Sequence, residues 1–332
     1  KQNHNCVDIR IGNPISYRDY SKLPLSINEQ SSLFRRHLYA IGKDRKGILP
    51  TSSAIATPEN RASLRRDIRN CRLLGMTKDN KHIYLYQGSS DESANCCIMR
   101  EIGRLREIAF RAVGEGTGLR RDNDIYDHHY HQLILWDEEE LEIAGAYRFH
   151  PTDQIDLASD RSQLYTSTLF DLQPAMQEKL QQGIELGRSF VQPRYWGRRS
   201  LDYLWYGIGA FLRANPQYRY LFGPVTLSNN FPPHAMEMLV HFYNRHFPAT
   251  DCYALPRLPY IISPQRTKEL NLLFPGNDYQ SEFTLLKEQL TAMNLSIPTL
   301  YKQYSELCEP GGVEFSAFNI DPDFALCVDG LI

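Results

Sequence analysis

No apolar run in this chain reaches the about 18 residues needed to cross a bilayer. The longest, Tyr203 to Leu212, falls inside an amphipathic helical pattern, so any membrane contact is expected to be peripheral. No secretory signal pattern opens the sequence, and a cytoplasmic location is the expectation from the cysteine usage that follows. Seven cysteines form no CxxC and no Cys/His ligand spacing, and their odd number argues against a disulfide framework. A reducing compartment and no structural zinc are the expectation. A net charge of −2 argues against a general nucleic-acid binder, although local basic clusters remain possible. There is no glycine-rich lysine signature of a nucleotide P-loop. The segment Gly114 to Gly118, GEGTG, follows a helix, so it is no dinucleotide fingerprint either.

What is present is an ordinary globular profile, 42% apolar and 23% charged, in a chain of 332 residues. Its organising stretch runs from Gly183 to Asn230. A strand-like run, Ile184 to Val191, carries Glu185, Arg188 and Ser189 among small and apolar residues. A turn broken by Pro193 holds Arg194, with Arg198 and Arg199 just beyond. A helix over about 199–214 follows, with Leu201, Leu204, Trp205, Ile208, Phe211 and Leu212 on its apolar face, and Asn215-Pro216 ends it. A second strand is expected over Tyr220 to Leu227. Free N–H groups at the start of a helix, beside three arginines, make an anion site. A phosphate on a thioester arm fits it, and a solvated helix end is the bland alternative.

The motifs ELGRSFV, LWYGIGAFL and YRYLFGPVTLS, with the upstream REIGRLREIAFRAVGEGTG and IAGAYRFHPT and the later LCEPGGVEFSAFNIDPDF, resemble the hemolysin-like, ornithine lipid synthase type of N-acyltransferase in the GNAT superfamily. The resemblance covers roughly residues 95 to 330. It implies an α/β fold: a mixed, mostly antiparallel central sheet with splayed strands, flanked by helices. Residues 91–332 are assigned to that domain. Residues 1–90 read as an N-terminal helical extension, with helical stretches near 29–40 and 58–74. Cys6 to Ile15 is similar to the last strand of an O-acyltransferase domain that precedes this one in fused proteins. His37 is expected at solvent or a helix end.

A more distant resemblance to acyl-homoserine-lactone synthases places Arg106, Phe110, Asp124, Asp127, Arg148, Glu185 and Arg188 in the order of that family's shared positions. Together with Glu115, in the loop after the helix over 97–112, the first five are candidate acceptor contacts; carboxylates suit an ammonium. The His-rich segment Asp122 to Gln132 carries no supporting ligand cluster, so no metal is assigned. Strands are expected over 133–136 and 143–149, helices near 174–182, 232–246, 279–293 and 298–307, and a further strand within 313–325.

The resemblance implies an acyltransferase with no bound cofactor. The donor is the phosphopantetheine thioester of acyl carrier protein carrying a 3-hydroxyacyl chain, or an acyl-CoA. The acceptor is an amino acid, ornithine or glycine, and peripheral inner-membrane contact is implied. Glu185 is the expected base, and Arg188 the residue that orients a carboxylate or phosphate; a bracing Glu185–Arg188 ion pair is the alternative. The N–H groups around Phe190, Val191 and Gln192 are expected at the thioester oxygen, and Arg194, Arg198 and Arg199 at the donor phosphate or carrier protein. Two other classes are a lysophospholipid O-acyltransferase fragment, for which only His246 and Asp251 have the needed spacing, and a membrane-lysing protein.

Overall fold

The computed structural model of the protein describes residues 9–15, 17–21, 23–43, 45, 47–49, 51–87, 96–158 and 162–332. The first three residues of the O-acyltransferase-like run at Cys6 to Ile15 lie outside them, and its described part, 9–15, is not a strand.

In chain order the elements are α1 (Tyr17–Ser21), α2 (Ile27–Gly42), α3 (Arg61–Arg69), β1 (Arg72–Met76), β2 (Lys81–Tyr86), α4 (Cys97–Ala112), β3 (His131–Asp137) and β4 (Glu142–Pro151). Then come α5 (Thr166–Leu169), β5 (Phe170–Leu172), α6 (Met176–Leu180), β6 (Gly183–Val191), α7 (Ser200–Ala214), β7 (Tyr220–Phe222) and β8 (Pro224–Leu227). The last part holds α8 (Pro233–His246), β9 (Ala254–Pro256), α9 (Pro264–Leu273), α10 (Tyr279–Ala292), α11 (Thr299–Leu307), β10 (Ala317–Asp321) and β11 (Cys327–Leu331).

The central sheet has the order β1-β2-β3-β4-β6-β7 and is antiparallel except where β6 meets β7. Alternation along β3 decides its two faces. Ile134 and Trp136 pack under the stripe Ile98, Ile102 and Leu105 of α4. Leu133 and Leu135 pack under Leu204, Ile208 and Phe211 of α7. Each helix thus buries one apolar stripe on one face, giving three layers. Helices α8, α10 and α11 enclose a separate core with β8 and the ends of β10 and β11.

The division expected at residue 90 does not hold. Strands β1 and β2 lie before it, and β2 pairs along its whole length with β3. Leu64 and Ile68 of α3 belong to the core under α4. The run KHIYLY of β2 is therefore sheet interior, and the expected helix over 58–74 stops at Arg69. His37 departs from expectation as well: it is 1% exposed, and its Nδ1 accepts from the Ile48 and Leu49 N–H groups at 3.0 Å.

The sheet splays at one glycine. Strand β6 pairs with β7 only from Gly183 to Glu185. A Cβ at Gly223 would lie 2.1 Å from the Leu186 carbonyl oxygen, so only glycine permits this close crossing. Beyond it the chain leaves the central sheet, and β8 pairs with β11, Thr226 opposite Asp329. The second strand expected over 220–227 is in fact two strands in two sheets.

Candidate active site

The gap between β6 and β8 holds a cavity of about 340 Å³. One part is apolar, walled by Leu186, Trp205, Leu212, Leu221, Phe222, Val225, Leu300 and Leu307. A polar group on the same wall comprises Glu115, Tyr165, Arg188, Thr226 and Asp329, with Phe324 against Arg188 and Phe110 against Phe324; Arg219 and Glu314 also line the cavity.

Arg188 reaches this space because β6 bulges there. Ala146 pairs with Phe190 and Arg148 with Gly187, so Arg188 and Ser189 together face a single residue of β4. Arg188 adopts a left-handed φ of 49°, uncommon outside glycine, which re-aims its side chain. Its guanidinium lies between the rings of Tyr165 (5.0 Å) and Phe324 (4.9 Å). Two long ion pairs, to Asp122 at 3.7 Å and Asp124 at 3.8 Å, hold it from behind. Its Nε has no hydrogen-bond partner among the described residues.

Those aspartates belong to a buried network that gathers much of the sequence's polar signal. Asp127 accepts from Arg106 at 2.6 Å, and Asp124 accepts from Arg148 at 2.6 Å. Arg148 also reaches Asp127 at 3.3 Å, and its guanidinium is ringed by Tyr126, Tyr130 and Tyr165 at 5.9, 5.1 and 5.3 Å. The two arginines hold the Asp127 carboxyl well below its ordinary range in spite of burial, and Asp124 and Asp127 raise Arg148 against the same cost. None of Arg106, Asp124, Asp127 and Arg148 is on the cavity wall. Expected as acceptor contacts, they sit behind Arg188 and fix its position.

Glu185 is brought near the same network but not into the cavity. It is 1% exposed, and Thr166 donates to its Oε1 through both N–H and hydroxyl at 2.5 Å. The Tyr130 hydroxyl donates to Oε2. Burial pushes its carboxyl up, while the Thr166 and Tyr130 hydrogen bonds and the Arg148 charge oppose that. With both oxygens occupied and no face on the cavity, Glu185 is not placed to take a proton from a substrate held there. Nor does it pair with Arg188.

The residues expected around the donor are corrected similarly. Phe190 packs in the core under α4, and the Gln192 N–H donates to Ala144 at 2.9 Å. Val191 pairs with Gly145. The stretch without ladder partners on β6 is Arg188–Ser189, two residues earlier than expected at its start. Arg194 bonds Glu142 at 2.9 Å and Glu140 at 3.2 Å. Arg199 donates to Tyr206 at 2.7 Å, and Arg198 lies over the Tyr195 ring at 5.6 Å. All three arginines are exposed at the start of α7, away from the cavity wall. His246, paired with Asp251 by spacing, instead meets Glu282 at 2.7 Å, whose other oxygen accepts from Gly276 and Asn277 N–H groups.

Glu115 stands where its loop is latched. The buried Glu107 carboxylate accepts from Thr117 N–H and hydroxyl at 3.1 and 2.8 Å and from Gly118 N–H at 2.8 Å, and Arg111 donates to it at 2.6 Å. Gly114, Gly116 and Gly118 all take positive φ in this turn, which explains the glycine spacing. Burial and the charge of Asp329 push the Glu115 carboxyl up to about 8, with Arg188 opposing. Asp329, which no sequence motif singles out, is 2% exposed and accepts from the Thr226 hydroxyl at 2.6 Å. Burial and Asp321 push it up to about 7, against the Thr226 hydrogen bond and Arg188. An acid placed among apolar residues on a strand in the chain's last few residues leaves no motif to read.

A mostly antiparallel sheet that parts beside a bulged strand, with a cavity in the gap, defines the GNAT class of acyltransferases. The acetyltransferase (GNAT) domain family matches residues 105–206, from α4 through β6 into α7. A glycine N(alpha)-acyltransferase of Bacteroides thetaiotaomicron is 36% identical over 76% of this chain and 77% of its own length. Another from Phocaeicola vulgatus is 32% identical over 76% and 80%. An L-ornithine N(alpha)-acyltransferase of Brucella abortus is 28% identical over 47% and 59%. No solved structure matches the chain. The protein belongs to the GNAT-type N(alpha)-acyltransferase family and is an acyltransferase.

Proposed function

We propose that the protein moves a fatty acyl group from a thioester to the α-amine of a small amino acid, glycine before ornithine, giving a lyso-aminolipid. The observation that carries this reading is the make-up of the cavity: an apolar wall for an acyl chain meets a polar group in which Arg188 stands with the Glu115 and Asp329 carboxylates. A zwitterion such as glycine suits that group, its carboxylate on Arg188 and its ammonium toward Glu115 and Asp329. Glycine is put first because the two relatives similar over three quarters of this chain carry that name.

The donor is a phosphopantetheine thioester, on acyl carrier protein or coenzyme A, lying in the gap between β6 and β8. Arg198 and Arg199, beside the free N–H groups of the first turn of α7, are assigned to its phosphate or to an acidic carrier surface. The unpaired backbone at Arg188–Ser189 is assigned to the thioester oxygen as charge develops on it. No helix among the described residues is long and apolar enough to cross a membrane. Contact with the inner membrane, where the product belongs, is therefore proposed as peripheral.

The test supplies 3-hydroxyacyl carrier protein and, separately, acyl-CoA, with glycine, ornithine, lysine and serine in turn, and reads N-acyl products by mass. N-acylglycine as the main product is the expected outcome. A folded protein that acylates no amine from either donor overturns the proposal.

A further inference from the structure

We propose that Glu115 and Asp329 form the pair that takes the proton from the acceptor's ammonium, the role for which Glu185 was expected. The inference rests on the amino-acid N-acylation proposed above. An amine attacks a thioester only when uncharged, so a group on the cavity wall must accept its proton. Three carboxylates line the cavity. Both oxygens of Glu314 accept from Thr250, at 3.2 and 2.9 Å, whereas Glu115 and Asp329 stand beside Arg188.

Their surroundings suit the task. The Glu115 carboxylate makes no hydrogen bond or ion pair with any described residue, so its oxygens are open to a ligand. Asp329 keeps one oxygen outside the single bond it accepts from Thr226. The two sit on different supports, Glu115 in the turn latched by Glu107 and Asp329 on β11 opposite Thr226. Burial raises both carboxyls toward neutral pH, and the charge of Asp329 raises Glu115 further. Facing them are Arg188 from β6, Asp321 from β10, Tyr165 ahead of α5, Tyr301 of α11 and the Cys327 thiol. Of these, Arg188 alone favours the charged carboxylates. The pair therefore has affinity for a proton near neutrality, where an exposed carboxylate has none.

In the step, the ionised member accepts one proton from the ammonium. The freed amine forms the C–N bond at the thioester carbonyl carbon, and the C–S bond breaks. A second nitrogen proton ends on the departing sulfur as the thiol, and the first leaves from the carboxylate pair to solvent. Glycine and thioester thus give N-acylglycine, thiol and one proton.

Two acceptors separate this role from a structural one. Glycine arrives as an ammonium. Aminooxyacetate carries the same carboxylate but an amine that is unprotonated at neutral pH, so it needs no base. With either thioester donor, Glu115→Gln and Asp329→Asn are expected to lose about 100-fold or more in glycine turnover. Both should keep aminooxyacetate turnover within about five-fold of the parent protein. Equal losses with both acceptors, or glycine turnover within about three-fold of the parent, would overturn the proposal.

The unsubstituted protein supplies a second measurement that does not depend on any variant folding. The rising limb of its rate against pH should stay in place when glycine is replaced by serine, whose ammonium is more acidic. A limb that follows the acceptor overturns the pair. Absence of product with every amine would instead strike the acyl transfer itself, and this inference with it.

Discussion

Thr166 donates its backbone N–H and its hydroxyl to one oxygen, Oε1 of Glu185, each at 2.5 Å. With the Tyr130 hydroxyl on the other oxygen, three donors from two segments converge on β6 at the last residue that pairs with β7. The carboxylate closes the sheet where it begins to splay. Replacing it with alanine leaves three buried donors unpaired, each costing about 1–3 kcal/mol. Glu185→Ala should therefore lose several kcal/mol and melt well below the parent protein. Glu185→Gln, which keeps an acceptor for Thr166 and sheds a buried charge, should fold and retain the parent pH–rate profile. A thermal melt and a pH series on the two variants check this; a pH limb that vanishes in Glu185→Gln would return the base role to Glu185.

Asp329 makes the fold itself pH-dependent. Its carboxyl is raised from 3.8 to about 7, so the folded state holds that proton more tightly than the unfolded chain. This contribution is present in full below the ordinary aspartate value and is lost as pH rises towards 7. Each unit of such a shift corresponds to about 1.4 kcal/mol. Asp329→Asn keeps a carbonyl oxygen for the Thr226 hydroxyl and cannot ionise. It should melt higher than the parent at alkaline pH and match it in acid, where both are neutral. Denaturant curves across that range decide it, and equal stability at alkaline pH would mean that Asp329 is not held neutral by its site.

Gly223 sets the opening in the sheet. A methyl group there would meet the Leu186 carbonyl oxygen at 2.1 Å, a backbone atom that cannot rotate away. Gly223→Ala should push β7 and β8 off β6, costing about 2–4 kcal/mol and most of the transfer activity. Gly209 lies in α7 with nothing within 4 Å of its would-be Cβ, so Gly209→Ala is the control. It should be neutral or slightly stabilising, since alanine is the better helix former. Melting both variants and assaying both for transfer tests the difference.

How far the sequence carried the reading depended on whether a feature was local. The stripes of α4 and α7 were legible because period 3.6 is written within one segment, and α4 spans the expected Cys97–Ala112. The break at Gly223 was not, because YLFGPVTL has continuous strand character and its change of partner is a tertiary event. In β2, KHIYLY alternates and follows turn residues at Thr77 to Asn80, so that strand had a usable signal. The network shows the same limit. Order along the chain picked out Arg106, Asp124, Asp127, Arg148 and Arg188, which do assemble, but it could not say that Arg188 alone among them faces the cavity. Burial decides that, and burial follows from the bulge on β6.

Arg188 is the proposed contact for the acceptor's carboxylate. Its guanidinium is stacked between Tyr165 and Phe324 at 5.0 and 4.9 Å, held from behind by two aspartates, and its Nε is unpartnered among the described residues. A planar fork fixed in this way binds a carboxylate in one orientation, whereas a lysine ammonium offers a point charge and no plane to stack. Arg188→Lys should raise KM for the amino acid by about ten-fold or more, the loss of one charge-assisted hydrogen bond. It should leave KM for the thioester nearly unchanged, because the acyl chain is proposed to lie against the apolar wall instead. A parallel test uses glycinamide, which keeps the amine and removes the carboxylate. The parent protein should discriminate strongly against it, and Arg188→Lys should discriminate less. If KM for glycine is unmoved and glycinamide is used as well as glycine, Arg188 serves the donor and the acceptor carboxylate lies elsewhere.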